Sequence, residues 1–302
     1  MAPFRYRYFG TTFLSEVELP ELYPFEFEQP QVTVQIGEIP LHLEKPSAKG
    51  VLFEASPGDF LLRLPSIGSY RVTEGKRITI MPEKGAQPEK FRLFLLGSVM
   101  GALFHQRNRL PMHGTTVIKG SFAVCILGNS AAGKSTLGAC LTVFRNFKHL
   151  ADDISVLHIG SQNKLEMFPG QRVYKLWKDV ADRLYPGHRF KKVRPELEKY
   201  YVPLSLHDEL QNSFEISTVL ILNPRNEKEF HLEEIRGAKK LFELRNHVYR
   251  DPLINGLGLA EHHFDHLSLL AEQAKTYRLY RPQRPLLLKE LTEFISDELL
   301  GK

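Results

Sequence analysis

The sequence predicts an α/β protein in two parts, a glycine-loop core of strands and helices preceded by a small β-rich domain. Three observations carry this. Residues 1–90 alternate apolar and polar positions between Pro and Gly turns, residues 91–104 are apolar at helical spacing, and from residue 110 the order becomes strand, glycine loop, helix, strand. The expected boundaries are therefore 1–90 for the β-rich domain, 91–108 for a connecting helix and 109–302 for the core.

Each element has a local reason. Val32-Thr33-Val34-Gln35-Ile36-Gly37, Val51-Leu52-Phe53-Glu54, Phe60 to Leu64, Tyr70-Arg71-Val72 and Ile78-Thr79-Ile80 read as short half-buried strands of an antiparallel domain. The run Phe91 to Phe104 reads as a buried helix, too short to cross a membrane. After it, Lys119-Gly120 marks the turn of a hairpin, with His113 at its far end and the strand Ser121 to Leu127 following. Leu137, Cys140, Leu141 and Phe144 share one face of the next helix. A strand ends near Leu150-Ala151, and others are expected at Lys164 to Phe168 and Ser217 to Leu222. Helices are expected at Gly237 to Asn246, His266 to Ala274 and Pro285 to Leu300, the last with Leu287, Leu291, Phe294, Ile295 and Leu299 on an amphipathic face.

The chain has 302 residues, 42% hydrophobic, enough for one large domain or two modest ones. It lacks an apolar run of membrane length, and its opening MAPFRYRYFG lacks the apolar centre of a secretory signal, so a cytoplasmic location is expected. Cys125 and Cys140 both fall in the glycine-loop strand and helix, where packing thiols are expected rather than a disulfide. The net charge of +5 forms no long basic run or basic-aromatic stripe, so neither nucleic acid nor membrane is expected as a partner.

Gly128-Asn129-Ser130-Ala131-Ala132-Gly133-Lys134-Ser135 matches G-x-x-x-x-G-K-[ST] in full, and Thr136 follows. Backbone N–H groups must turn inward to hold a phosphate chain, and glycines at both ends of the loop permit that turn. The helix that follows adds the unpaired amides and macrodipole of its N-terminus. Lys134 would supply charge to the β and γ phosphates, and Ser135 a hydroxyl to Mg²⁺.

Asp152-Asp153 follows this loop by one helix and the start of a strand, which places both acids at the phosphate edge. One could serve the magnesium shell and the other take a proton from an attacking hydroxyl, with mutual repulsion raising one pKa. The plainer reading is a pair of turn aspartates. His113 taken by itself is an ordinary structural histidine. Among residues 171–204 a solvated charged surface is expected, with Arg172 and Lys175 as the exceptions best able to clamp phosphates or receive an acidic peptide. His262 and His266 would share a helix face, but they lack the His-Glu-x-x-His order of a zinc hydrolase, and a solvent-facing cluster is expected.

His113-Gly114, Gly128 to Ser135 and Ala151-Asp152-Asp153 together resemble the catalytic domain of the HPr kinase/phosphorylase family. Tyr8-Phe9-Gly10, Ser15 to Leu22, Phe104-His105-Gln106-Arg107 and Pro169 to Trp177 resemble its HPr-kinase-related branch. Members of that branch often accompany peptide-modification genes, including lasso-peptide clusters, where such kinases phosphorylate a precursor peptide. The resemblance covers nearly the whole chain. It implies a P-loop kinase core of the HPr-kinase C-terminal type over 109–302, with ATP and Mg²⁺ as cofactors. It assigns Lys134 to phosphate, Ser135 to magnesium, Asp153 to proton acceptance, His113 to a contact near the aspartates, and Asp152 to the metal or to His113.

The chain departs from that family in one motif. The Glu-Ile-Arg-Gly stretch that supplies a magnesium-binding Glu is replaced by Leu165-Glu166-Met167-Phe168-Pro169-Gly170, which makes Glu166 the candidate there. Glu234-Ile235-Arg236-Gly237 lies too far downstream to be its equivalent. The expected acceptor is a peptide or protein hydroxyl, a serine first, or else a small molecule. The competing readings are a nucleotide-binding regulator or scaffold and a plain NTPase. A guanine-specific Asn-Lys-x-Asp signature is missing. The oligomeric state stays open.

Overall fold

The computed structural model describes residues 3–204, 212–225, 229–283 and 287–300. It is a mixed α/β structure with several sheets. Alternation in the first 82 residues produces β1 (Phe4–Tyr8), β2 (Thr11–Ser15), β3 (Tyr23–Pro24), β4 (Val32–Ile36), β5 (Ala48–Lys49), β6 (Phe53–Ser56), β7 (Asp59–Leu64), β8 (Gly68–Thr73) and β9 (Arg77–Pro82). They form one nine-stranded sheet in the order β3-β1-β2-β4-β9-β8-β7-β6-β5. The expected all-antiparallel pairing needs correction, because β4 runs parallel to both β2 and β9. The chain between these strands is long enough for crossovers, and only a tight hairpin would have forced an antiparallel neighbour.

The connecting helix is α-helical over α1 (Pro88–Phe94), π-helical over Leu95–Val99 and α-helical again over α2 (Met100–Gln106). Pro88 starts it where a missing N–H costs nothing. From Leu95 to His105 every residue is buried. Gly101 lets the helix close on Tyr249, since a Cβ there would lie 2.8 Å from the ring.

The second large sheet is built from β10 (Leu110–Met112), β11 (Gly114–Lys119), β12 (Phe122–Gly128), β13 (Lys148–Ala151), β14 (Ser155–Ile159), β15 (Leu165–Met167), β19 (Phe214–Arg225), β20 (His231–Glu234) and β21 (Lys275–Pro282). Its order is β10-β14-β15-β19-β12-β11-β13, with β21 beside β19 and β20 beside β21. A separate three-stranded sheet joins β16 (Val173–Trp177), β17 (Lys191–Lys192) and β18 (Lys199–Pro203). The helices are α3 (Lys134–Arg145), α4 (Lys178–Leu184), α5 (Ala238–Arg245), α6 (Pro252–Gly256), α7 (Ala260–Gln273) and α8 (Leu288–Leu300). Helix α7 starts six residues before the expected His266, and Pro285, the expected start of the last helix, lies outside the described residues.

Strand direction decides what gathers at one edge. β12 is parallel to β19, which is parallel to β21, whereas β11 is antiparallel to both β12 and β13. The C-terminal ends of β12, β13, β19 and β21 and the start of β11 therefore share an edge, the place where open α/β sheets build sites. This edge carries Gly128, Asp152, Asp153, Asn223, Arg281 and His113.

The N-terminal sheet is keyed into the same region. Phe9 and Gly10 form the two-residue loop between β1 and β2, both at positive φ (47° and 72°), as a tight hairpin demands. Phe9 is fully buried at this tip, edge-on to Phe104 at 5.5 Å, and its N–H donates to Pro169 O at 3.0 Å. A Cβ on Gly170 would collide with its ring at 2.5 Å. Nearby, Arg172 donates to Pro20 O, and Glu21 pairs with Arg92 at 3.2 Å. One hydrophobic core, from Tyr6 to Ala274, runs across both large sheets.

Candidate functional site

The glycine loop lies between β12 and α3. Gly128 has φ 144°, Ala131 63° and Gly133 96°, so the chain turns through the left-handed region three times before the helix begins. At Gly128 a side chain would also press on Leu222 O at 3.0 Å. Asn129 O accepts the Ala132 N–H, and the first-turn amides of α3 have no intrahelical acceptor. Lys134 folds back over the loop, its Nζ donating to Gly128 O at 2.9 Å and Asn129 O at 3.0 Å. Burial lowers the Lys134 pKa to about 8, against the opposing pull of Asp152 and Asp153.

Two clefts meet at this loop. One, of about 980 Å³, is lined by Lys134, Ser135, Thr136, His113, Asp153 and Lys175, and continues toward Trp177. The other, of about 990 Å³, lies on the β19 side and includes Asn129, Ser130, Asn223, His247 and Arg278. Ser130, Ala131, Arg281 and Gln283 line both. Each is large enough to hold a nucleotide-sized ligand.

The two aspartates are divided by their surroundings. Asp152 is 1% exposed, and its two carboxylate oxygens are already engaged. Thr115 Oγ1 donates to Oδ1 at 2.6 Å and the Lys175 N–H to Oδ2 at 2.9 Å. Gln171 Nε2 donates to its backbone carbonyl. Asp152 thus pins β11, the end of β13 and β16 together. Asp153 instead faces the cleft from φ 73°, its Oδ2 held 2.8 Å from the Lys175 ammonium. The expected rise in one carboxyl pKa is corrected: Lys175 holds Asp153 far below the usual carboxylate range. For Lys175 burial is the strongest single influence and pulls downward, but Asp153, Tyr201 and Asp152 together outweigh it and the net shift is upward.

His113 sits between β10 and β11, and its Nδ1 lies 3.1 Å from Asp153 O. A carbonyl can only accept, so Nδ1 carries the hydrogen and Nε2 keeps its lone pair. Its Nδ1 is 3.9 Å from Asp153 Oδ1. Burial and then the Lys134 charge lower its pKa, so the ring is neutral at pH 7.

The structure does not bring Glu166 to the loop. Glu166 pairs with Glu215 at the start of β19, whereas Gly128 pairs with Leu222. Seven strand residues separate these positions by about 23 Å. Glu166 instead accepts a bond from Ser213 Oγ and lies 4.0 Å from His158. Alternation alone gave no measure of that separation.

Other expectations fare differently. Lys178–Asp182 and Lys191–Glu89 are surface ion pairs, while Lys175 turns inward and Arg172 reaches back to Pro20. His266 Nδ1 lies 2.7 Å from His262 O, and among the described residues no group of three His, Cys, Asp or Glu is placed to hold a metal. Burial pushes the Cys125 and Cys140 thiols up to about 11 and about 12, as packing residues. Among the described residues no helix is long and apolar enough to cross a membrane. Sequence reasoning missed His247 and Arg281, because both come from elements more than a hundred residues past the motif.

No family model matches the chain, and no curated protein matches it. Among solved structures it is similar to the Hpr(Ser) kinase/phosphatase from Coxiella burnetii, with 12% identity and a TM-score of 0.31. That match covers 63% of this chain and 90% of the other. A likeness of this size carries no argument about activity.

Proposed function

We propose that this chain is an ATP- and Mg²⁺-dependent kinase that transfers the γ-phosphoryl group to a hydroxyl, a peptide or protein serine being the first choice. One observation carries the reading: Ser130, Ala131, Gly133, Lys134 and Ser135 of the glycine loop line one cleft with Asp153, His113 and Lys175.

The residues fit the groups they would hold. Inward amides, Lys134 and the α3 N-terminus suit a polyphosphate. Ser135 would hold Mg²⁺ through its hydroxyl, and the described residues offer no all-protein cage beside it. When bound, the metal supplies charge neutralisation of the phosphates. Asp153 orients the acceptor hydroxyl and takes its proton late, once the forming O–P bond has made that proton strongly acidic. A carboxylate kept ionised is suited to this task. The bridging O–P bond breaks as the new one forms, and ADP leaves. His113, neutral and bonded to the Asp153 backbone, keeps that residue in its left-handed conformation.

The test is transfer of label from γ-labelled ATP, with Mg²⁺, to serine-containing peptides. Asp153→Asn should bind ATP within about threefold of wild type but transfer about 10²–10⁴-fold more slowly. Free phosphate without labelled acceptor would favour the NTPase. Tight ATP binding with neither product would favour the regulator, and full transfer by Asp153→Asn would remove the role given to that residue.

A further inference from the structure

Arg281, at the end of β21, is 8% exposed, yet among the described residues it forms no ion pair. Its guanidinium donates from Nη2 to Ala132 O at 2.6 Å and from Nη1 to Pro282 O at 2.7 Å. A guanidinium has five N–H donors, so among the described residues three remain without a protein acceptor. Burial lowers its pKa, as expected for a cation taken from water without a counter-charge. Such groups are costly unless something compensates them.

The position says what that counter-charge is. Nη2 lies 2.8 Å from where a Cβ on Gly133 would stand, so the guanidinium rests against the second glycine of the loop, and it lines both clefts at their junction. Of the other buried cations at this edge, Lys175 is neutralised by Asp153, while Lys134 donates to the loop carbonyls of Gly128 and Asn129. Among the described residues no carboxylate pairs with Arg281, and the loop it touches is shaped for anions.

We propose that Arg281 is a second cation of the polyphosphate site, donating to phosphate oxygens of the bound nucleotide while its Ala132 bond holds the loop open for them. This rests on the nucleotide reading above and adds a residue that the loop motif does not contain. Planar paired donors match phosphate geometry in a way that lysine does not.

The experiment compares wild type, Arg281→Gln and Arg281→Lys by calorimetric binding of adenosine, AMP, ADP, ATP and inorganic tripolyphosphate with Mg²⁺. Arg281→Gln should lose about 10- to 100-fold in affinity for ATP and tripolyphosphate while adenosine changes less than about twofold, with Arg281→Lys between. Equal loss for adenosine and ATP, or no loss for either, would overturn the assignment. Should the glutamine variant not fold, the guanidinium Nε–H resonance of Arg281 in the wild-type chain decides. It should shift on adding tripolyphosphate and stay still with adenosine, and the reverse overturns the proposal. If the wild-type chain binds neither ATP nor tripolyphosphate, the nucleotide reading falls and this one with it. If wild type binds both and the glutamine variant binds them equally, Arg281 alone is misassigned.

Discussion

The Lys175 ammonium sits 2.8 Å from Asp153 Oδ2, and the backbone N–H of the same lysine lies 2.9 Å from Asp152 Oδ2. One residue of β16 thus holds both aspartates, the buried one through its backbone and the cleft-facing one through its side chain. This makes β16, an element unexpected from the sequence, the strut of the site.

Replacing Lys175 with Met should release Asp153. Because Asp153 is held below its unfolded pKa, the pair stabilises the fold fully above about pH 5 and is lost as pH falls through the unfolded and then the folded value. The difference in unfolding free energy between wild type and Lys175→Met should be constant from pH 5 to 8 and shrink below pH 4. For a carboxylate 37% exposed, solvent screening limits the ion-pair part to about 1 kcal/mol. A difference that grows in acid would contradict the pairing.

Lys134→Met should behave in the opposite sense. The folded pKa of about 8 lies below the unfolded value near 10.4, so the charged lysine costs stability below pH 8. That cost fades as pH rises toward 10.5 and the unfolded chain also loses its proton. The ligand-free variant should melt above wild type at pH 7, by a margin that closes by about pH 10.5, while its ATP affinity falls. Parallel melting curves across this range would show that the ammonium is not desolvated.

Thr115→Val keeps the shape of the side chain but removes the donor to Asp152 Oδ1 in a fully buried place. We expect a loss of about 1–3 kcal/mol in urea unfolding. A neutral result would mean that another group takes over the carboxylate.

Gly138 lies inside α3, where alanine is normally the better helix former by about 1 kcal/mol. Here a Cβ would stand 2.5 Å from Thr115 Cγ2. Gly138→Ala should therefore destabilise, by about 1–3 kcal/mol, and loosen the Thr115–Asp152 bond at the same time. A rise in melting temperature would show that helix propensity outweighs the contact.

Phe9→Ala empties the hairpin tip that plugs against Phe104 and Gly170. A loss of about 3–5 kcal/mol is expected. Hydrogen exchange should quicken at Gly170, whose N–H is bonded to Leu150 O, next to the aspartates. Loss of stability confined to the first sheet would contradict the core shared by the two large sheets.

Local signals sufficed for the elements whose reasons are local. The hairpin β11–β12, the glycine loop and helix α3 follow from turn residues and periodicity within a stretch of about thirty residues, so they were legible in the sequence. The opening alternation likewise announced strands, although not that β4 would run parallel to its neighbours. The partners of those elements depended on tertiary structure, because strand order and direction are chosen by long-range packing rather than by neighbours in the chain. Only folding could bring Lys175 under Asp153, make Asp152 a buried tie, set Arg281 against Gly133 and carry Glu166 a strand's length away. Charge follows the same rule, since the pKa of a carboxylate is set by what surrounds it in space, and the sequence of Asp152-Asp153 alone pointed the wrong way.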